Sequence, residues 1–182
     1  DNIKQTNPTL IDDLIPGTIS LGYLEKVLCL LLREGVPIRD METILETLGD
    51  HAGALKDIDI VTEYVRQALK RTITRRFAEA NSLRVITVDP KVEDTIVASV
   101  KKSEAGSYLA MDPDLIQKIV NITSGEIDKV KDVIPNIIIP TSPIVRIYCK
   151  KLIDQFIPNI TVLSYSEIDN TAQIQAIGNI AM

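Results

Sequence analysis

The sequence predicts an α/β protein in two parts: a small all-helical subdomain followed by an α/β subdomain with a largely parallel sheet. Three observations predict it. Up to about residue 80, apolar residues recur at helical spacing in three successive stripes joined by short loops. From Asn81 onward, short apolar β-branched runs alternate with helical stripes. Most of those runs are more apolar than alternating, as expected for strands of a parallel sheet covered by helices.

Residues 1–14 contain Pro8 and are polar, so they read as a linker or the remnant of a preceding subdomain. The helical subdomain is expected over 15–80. Ser20 is placed as an N-cap, followed by Leu21, Leu24, Val27, Leu28, Leu31 and Leu32, with Gly35 as the stop. A second helix carries Met41, Ile44, Leu45 and Leu48 on one face, and Asp40 stands at its N-terminus, where negative charge is favourable. Asp57 is expected to cap a third, longer helix with the stripe Val61, Val65, Ala68, Leu69, Ile73 and Phe77.

The α/β subdomain is expected over 81–182. LRVITV (83–88) reads as a buried strand, and Asp89-Pro90 as an N-cap with proline at the first helical position. The next helix is expected to run over Val92, Ile96, Val97 and Val100, broken by Gly106, with SYLAM (107–111) as a short edge strand. Asp112-Pro113 repeats the cap before a helix through Leu115, Ile119, Val120, Ile127 and Val130. NIIIP (136–140) is a strand, Thr141-Ser142-Pro143 a third cap, and ITVLSY (160–165) and QIQAIG (173–178) the last strands.

Composition narrows the function classes. Net charge is −5 and only 4% of residues are aromatic, with no tryptophan, which argues against a nucleic-acid binder with stacking platforms. Cys29 and Cys149 have no metal-ligand spacing and lie in helical apolar patterns, so both are expected as reduced, buried thiols of a cytoplasmic protein. No apolar run approaches the ~20 residues needed to span a bilayer. The chain opens at Asp1 without a methionine, which reads as a piece of a longer protein whose other segments could include membrane spans.

The stretch VPIRDMETILETLGDHA (36–52) has the residue types of an active site, with an Arg-Asp pair, Asp50 and the one histidine, His51. A histidine base needs a partner within hydrogen-bond reach. Asp50 is adjacent in sequence, so on a helix its side chain points about 100° away from that of His51. There is no second histidine and no nucleophile or HExxH signature. The reading is a packing helix whose terminal histidine meets free carbonyls. The basic face of the third helix (Arg66, Lys70, Arg71, Arg75, Arg76) could take phosphate or an acidic partner, against the simpler reading of a solvated face. A helix start at Ser142 bearing Arg146 could hold an anion, but no glycine-rich loop accompanies it. Asp12-Asp13 and Asp112/Asp114 lie in linker or cap positions without metal-ligand grouping. No catalytic, cofactor or metal site is expected.

A resemblance adds what these patterns do not carry. Lys26-Val27-Leu28, Leu31-Leu32-Arg33-Glu34, Val36, Ile38-Arg39-Asp40, Thr43-Ile44-Leu45-Glu46 and Thr62-Glu63-Tyr64-Val65-Arg66 resemble the cytoplasmic region of the flagellar/Hr/invasion protein export pore family. VLSYSEI (162–168) with IQAIG (174–178) resembles its flagellar branch. The resemblance covers about Ile15 to Gly178, is specific over 24–73 and 160–178, and is loose between 91 and 135. It implies the third and fourth cytoplasmic subdomains of a type III protein export gate. Such gates are membrane proteins at the bacterial inner membrane whose cytoplasmic parts form a ring that receives export chaperones and cargo. On that basis the expected partners are other copies of the chain, other export-apparatus proteins, and chaperone–cargo complexes met mainly through subdomains outside this chain. No nucleic acid is expected, and membrane contact would come only through missing N-terminal spans. Glu63, Arg66, Lys70 and Arg71 are the candidate protein-interaction residues. The alternatives are the equivalent gate of a virulence injectisome, or a small-molecule or nucleotide-binding α/β domain using the strand ends near Asp89 and Ser142.

Overall fold

The structure is a computed structural model and describes Gln5 and residues 7–182. It divides into two compact units, Asp1–Arg76 and Phe77–Met182.

The first unit is helical. Its elements are α1 (Pro8–Leu14), α2 (Leu21–Arg33), α3 (Met41–His51), α4 (Ile58–Ala68) and α5 (Lys70–Phe77), which ends on the first residue of the second unit. Local chemistry sets the helix starts. The Ser20 side chain accepts from the Tyr23 N–H, Asp40 from the Thr43 N–H and Asp57 from the Asp59 N–H. Gly35 follows α2 with φ 74, a left-handed conformation that glycine adopts without penalty. α3 packs on α4, α2 on α4, and α1 on α3. The buried stripes are Leu24, Val27 and Leu31 of α2, Ile44, Leu45 and Leu48 of α3, and Val61 and Val65 of α4. Each such side chain stabilises the fold by roughly 1.5–3 kcal/mol when fully withdrawn from water.

Three expectations are corrected here. Residues 8–14, expected within a linker, form a helix with Leu14 buried, because Pro8 stands at the start of α1, where its missing N–H is no loss; the rest of that stretch, 1–4 and 6, lies outside the described residues. The third helix is two helices that meet at Leu69, whose φ −91 and ψ 19 leave helical geometry, with Leu69 and Ile73 buried on either side of the break. Cys29, expected buried, is exposed, whereas Cys149 is buried.

The second unit runs β1 (Ser82–Val88), α6 (Pro90–Ala98), β2 (Val100–Ser103), β3 (Gly106–Leu109), α7 (Pro113–Val130), β4 (Ile138–Thr141), α8 (Arg146–Asp154), β5 (Thr161–Ser164), a 3₁₀ turn (Tyr165–Glu167) and β6 (Gln173–Ile180). The main sheet has the order β5-β4-β1-β6, and all its pairings are parallel. With the helices it makes the chain α/β, as the sequence predicts. Asp89 and Asp112 cap α6 and α7 by accepting from Lys91 N–H and Asp114 N–H. Ile86, Ile139, Val162 and Ile180 from the strands cluster with Ile96, Ile119, Ile127, Cys149 and Leu152 from the helices, giving one apolar core.

Two further expectations are corrected in this unit. Val100 continues the apolar spacing of α6, yet the helix stops at Ala98 and Val100 opens an antiparallel hairpin with β3. Gly106, the first residue of β3 after the Glu104-Ala105 turn, stands at φ 120, a conformation that side chains rarely adopt. At the third expected cap, no side chain caps α8. The Ser142 carbonyl instead accepts from Val145 and Arg146 N–H, and the Ser142 N–H donates to Glu93 Oε1 at 3.0 Å.

Candidate protein-interaction surface

The four expected interaction residues do not form one exposed face. Glu63 is 8% exposed and Arg66 only 1%, so neither presents its charge to solvent. Arg66 Nη1 lies 3.6 Å from Glu34 Oε2, which ties α4 to the end of α2. A cation this deeply withdrawn needs such a partner, because an unpaired buried charge costs several kcal/mol. Past the break at Leu69, Lys70 is half-buried and Arg71 exposed, as is Arg75 one turn further on. The surface charge of this region therefore belongs to α5.

α2 carries the larger surface feature of the helical unit. Leu21 and Leu32, expected in the core, are 70% and 53% exposed. Beside them runs a groove of about 410 Å³, lined by Glu25, Lys26, Cys29 and Leu30 of α2 and by Ile58 and Asp59 at the start of α4. Leucines at i and i+11 share a helix face, three turns apart. Tyr23 lies on the same helix; burial first, and then the charge of Asp57, push its hydroxyl pKa above 10.0.

The acid–base constellation suggested by residues 36–52 is not assembled. Asp40 is occupied with its cap, accepting from Thr43 Oγ1 at 2.6 Å as well as from the Thr43 N–H. His51 is the last residue of α3, and its ring stacks on Tyr64 with centroids 4.3 Å apart and planes 11° from parallel. Stacking replaces the carbonyl contact expected for it, and links the end of α3 to α4.

The strand-end site of the α/β unit is also taken up. Arg146, the residue suggested for an anion, is 1% exposed. Its Nη1 donates to the Val162 carbonyl at 3.1 Å, and its Nε lies 3.5 Å from Glu167 Oε1. Glu167 in turn accepts from the Ser164 N–H at 3.2 Å. This buried pair fastens α8 to the turn after β5, so Arg146 does not face a ligand. The connections after β1 and β4 both step toward β5, so they do not diverge to open a crevice between those two strand ends. Burial first, with Glu93 adding, pushes the Cys149 thiol up to about 12, an inert core thiol. Among the described residues, no three His, Cys, Asp or Glu side chains gather as metal ligands, and no helix is long and apolar enough to cross a membrane.

With no reaction centre assembled, the relationship of the whole chain to known proteins decides its class. The FHIPEP family model matches residues 1–173. The chain belongs to the FHIPEP family. It is 38% identical over 179 residues to the flagellar biosynthesis protein FlhA of Bacillus subtilis, an alignment that takes in 98% of this chain and 26% of FlhA. The crystal structure of the C-terminal domain of InvA superposes with a TM-score of 0.90 at 28% identity, covering 99% of this chain and 55% of that domain. The nonameric EscV cytosolic domain from a type III secretion system superposes with a TM-score of 0.82 at 28% identity, over 99% of this chain and 53% of that one. The chain thus spans about a quarter of the length of its flagellar relative and about half of each of these cytosolic domains.

The residues that sequence reasoning missed are Glu34, Glu167, Leu21 and Leu32. The sequence assigns Glu34 and Glu167 no ion-pair partner, because those partners lie 32 and 21 residues away. The one available signal was local: Ser164 followed three residues later by Glu167 is the spacing of a capping box.

Proposed function

We propose that this chain is the structural and docking module of a flagellar type III protein export gate: two cytoplasmic subdomains that help form a ring receiving chaperone–cargo complexes, with no bond-making chemistry of their own. The carrying observation is the end-to-end match. Almost every residue aligns with FlhA, and the same span superposes on the cytosolic domain of a nonameric secretion protein. The occupied states of His51, Asp40 and Arg146 support a role without catalysis. On this reading the chain works at the cytoplasmic face of a bacterial inner membrane, held there by spans outside this sequence. The helical subdomain supplies ring contacts, and chaperones are met mainly through subdomains outside this chain. Other parts of the export apparatus are the remaining partners.

The virulence-injectisome reading rests on the fit to InvA, at TM-score 0.90. The flagellar reading is preferred because identity is 38% to FlhA against 28% to InvA.

Within the proposal, Lys70 and Arg71 are the ring-contact candidates on α5, and the exposed leucines of α2 are the apolar ones. Glu63 and Arg66 act on assembly indirectly, by holding α4 in place. The test is ring formation by the full cytosolic region, viewed by negative-stain electron microscopy. Charge reversal at Lys70 and Arg71, or Leu32→Ser, is expected to deplete rings without changing helix content. Undiminished rings in all three variants would remove these surfaces from the account.

A further inference from the structure

The sheet of the α/β unit has two unlike edges. At one, β5 has only four residues, and Val162, Leu163 and Ser164 are buried. At the other, β6 has eight residues, and Gln173, Ile174, Gln175 and Ala176 are all exposed. Among the described residues, β6 pairs only with β1, so its outer edge carries no strand. Such edges are ordinarily blunted by lysine, proline, shortness or a bulge. β6 has a bulge where the register slips between Ala176 and Gly178, but the four residues before it carry no guard. No charged residue occurs from Asn170 to Met182, in a chain of net charge −5. A free edge without charged residues sets no like charges against each other when two copies meet there.

The backbone directions follow from one hydrogen bond. The Gln173 N–H donates to the Asn81 carbonyl at 2.9 Å, so the peptide groups of Gln173 and Gln175 face β1. By alternation, the N–H and C=O of Ile174 and Ala176 face outward. This spacing is self-complementary about Gln175. Antiparallel approach of a second β6 sets Ile174 opposite Ala176 and Ala176 opposite Ile174, giving four backbone hydrogen bonds and two large-against-small contacts. Gln175 then faces its own copy across a two-fold axis as a non-hydrogen-bonded pair, where side chains stand closest.

We propose that two copies of this chain pair through the outer edge of β6, antiparallel and centred on Gln175, joining two four-stranded sheets into one. The contact is isologous, so it ends at two copies. It is therefore distinct from the head-to-tail contact of a nine-membered ring, and because nine is odd it cannot be satisfied throughout one ring. It belongs to copies outside the ring or to the meeting of two rings, and does not depend on the export-gate assignment. Contact over three residues with four hydrogen bonds makes the pairing weak and concentration-dependent.

The test uses the 182-residue chain with Cys29→Ser, which leaves Cys149 buried as the remaining thiol. In sedimentation velocity this chain should pass from monomer to dimer as concentration rises, and Ile174→Lys, at an exposed position, should weaken dimerisation at least tenfold with an unchanged far-ultraviolet spectrum. Under mild copper–phenanthroline oxidation, Gln175→Cys should form a disulfide-linked dimer at least ten times faster than Gln173→Cys, and Ile174→Lys should abolish that linkage. A chain that stays monomeric, equal rates at 173 and 175, or linkage that survives Ile174→Lys would each overturn the pairing. So would a monomer whose Ile174 amide becomes protected from exchange only on adding a neutral peptide of another protein, which would give the edge to a foreign strand.

Discussion

Replacing Glu167 by Gln removes one charge from the centre of the α/β unit and changes almost no volume. Arg146 and Glu167 are 1% and 0% exposed, with Nε and Oε1 3.5 Å apart, so neither charge is supported by bulk water. Breaking a buried pair by removing one partner costs about 3–5 kcal/mol, because the other charge is left uncompensated. Here the lower end applies. Arg146 keeps the Val162 carbonyl at 3.1 Å whichever way the glutamine amide turns. The expected loss is about 3 kcal/mol. The double variant Arg146→Met with Glu167→Leu removes both charges and should lie within about 1 kcal/mol of the parent, since apolar replacement of a buried pair is often neutral or better. Urea unfolding gives the overall loss, and amide exchange at Val162 and Leu163 reads the α/β unit itself. A Glu167→Gln loss below about 1 kcal/mol, or a double variant no more stable than the single one, would show that the pair does not hold α8 to the sheet.

Four other outcomes are expected. Leu45→Ala, at a side chain 2% exposed, should cost about 2–5 kcal/mol in chemical denaturation, and a smaller loss would mean that α3 collapses to refill the space. Ala80 stands at φ 49 beside Asn81 at φ 61, so Ala80→Gly should stabilise by about 0.5–1 kcal/mol despite its entropy cost, because the left-handed conformation penalises a Cβ; a loss would contradict that balance. Ellman's reagent should titrate one thiol at once, Cys29, while Cys149 reacts only as the core opens; two fast thiols would refute the burial of Cys149. The Cys149 pKa is raised from 9.0 to about 12. Its neutral thiol therefore gives the folded state an advantage that is complete below pH 9.0 and is lost as pH rises through about 12. Unfolding free energy should fall across that window, and Cys149→Ala should flatten this part of the profile.

What could be read from the sequence was chemistry that acts within a few residues. Ser20, Asp40, Asp57, Asp89 and Asp112 all cap the helices expected of them, because a cap needs only a short acceptor side chain two or three residues before an N–H. The parallel sheet was legible in the β-branched, mostly apolar runs at 83–88 and 160–165. The hairpin at Val100–Leu109 was not, since Val100 fits the i, i+4 stripe of Val92 and Ile96 and its strand exists only through pairing with residues beyond the turn. The interaction surface was the least legible part. Charge on Glu63 and Arg66 suggested exposure, and the partner that permits burial, Glu34, lies on another helix. Leu21 and Leu32 extended an apolar stripe wider than the groove between neighbouring helices can cover.

The central proposal is that this chain serves as a structural and docking part of an export gate and that His51 carries no chemistry in it. The most direct measurement is exchange of the segment in place: replace the matching C-terminal stretch of Bacillus subtilis FlhA with this chain and measure swimming together with hook and filament protein secreted to the medium. The account predicts a stable chimera that restores secretion and motility, and that still does so with His51→Ala. A chimera that accumulates to normal levels yet secretes nothing, or one silenced by His51→Ala while its rings persist, would contradict it.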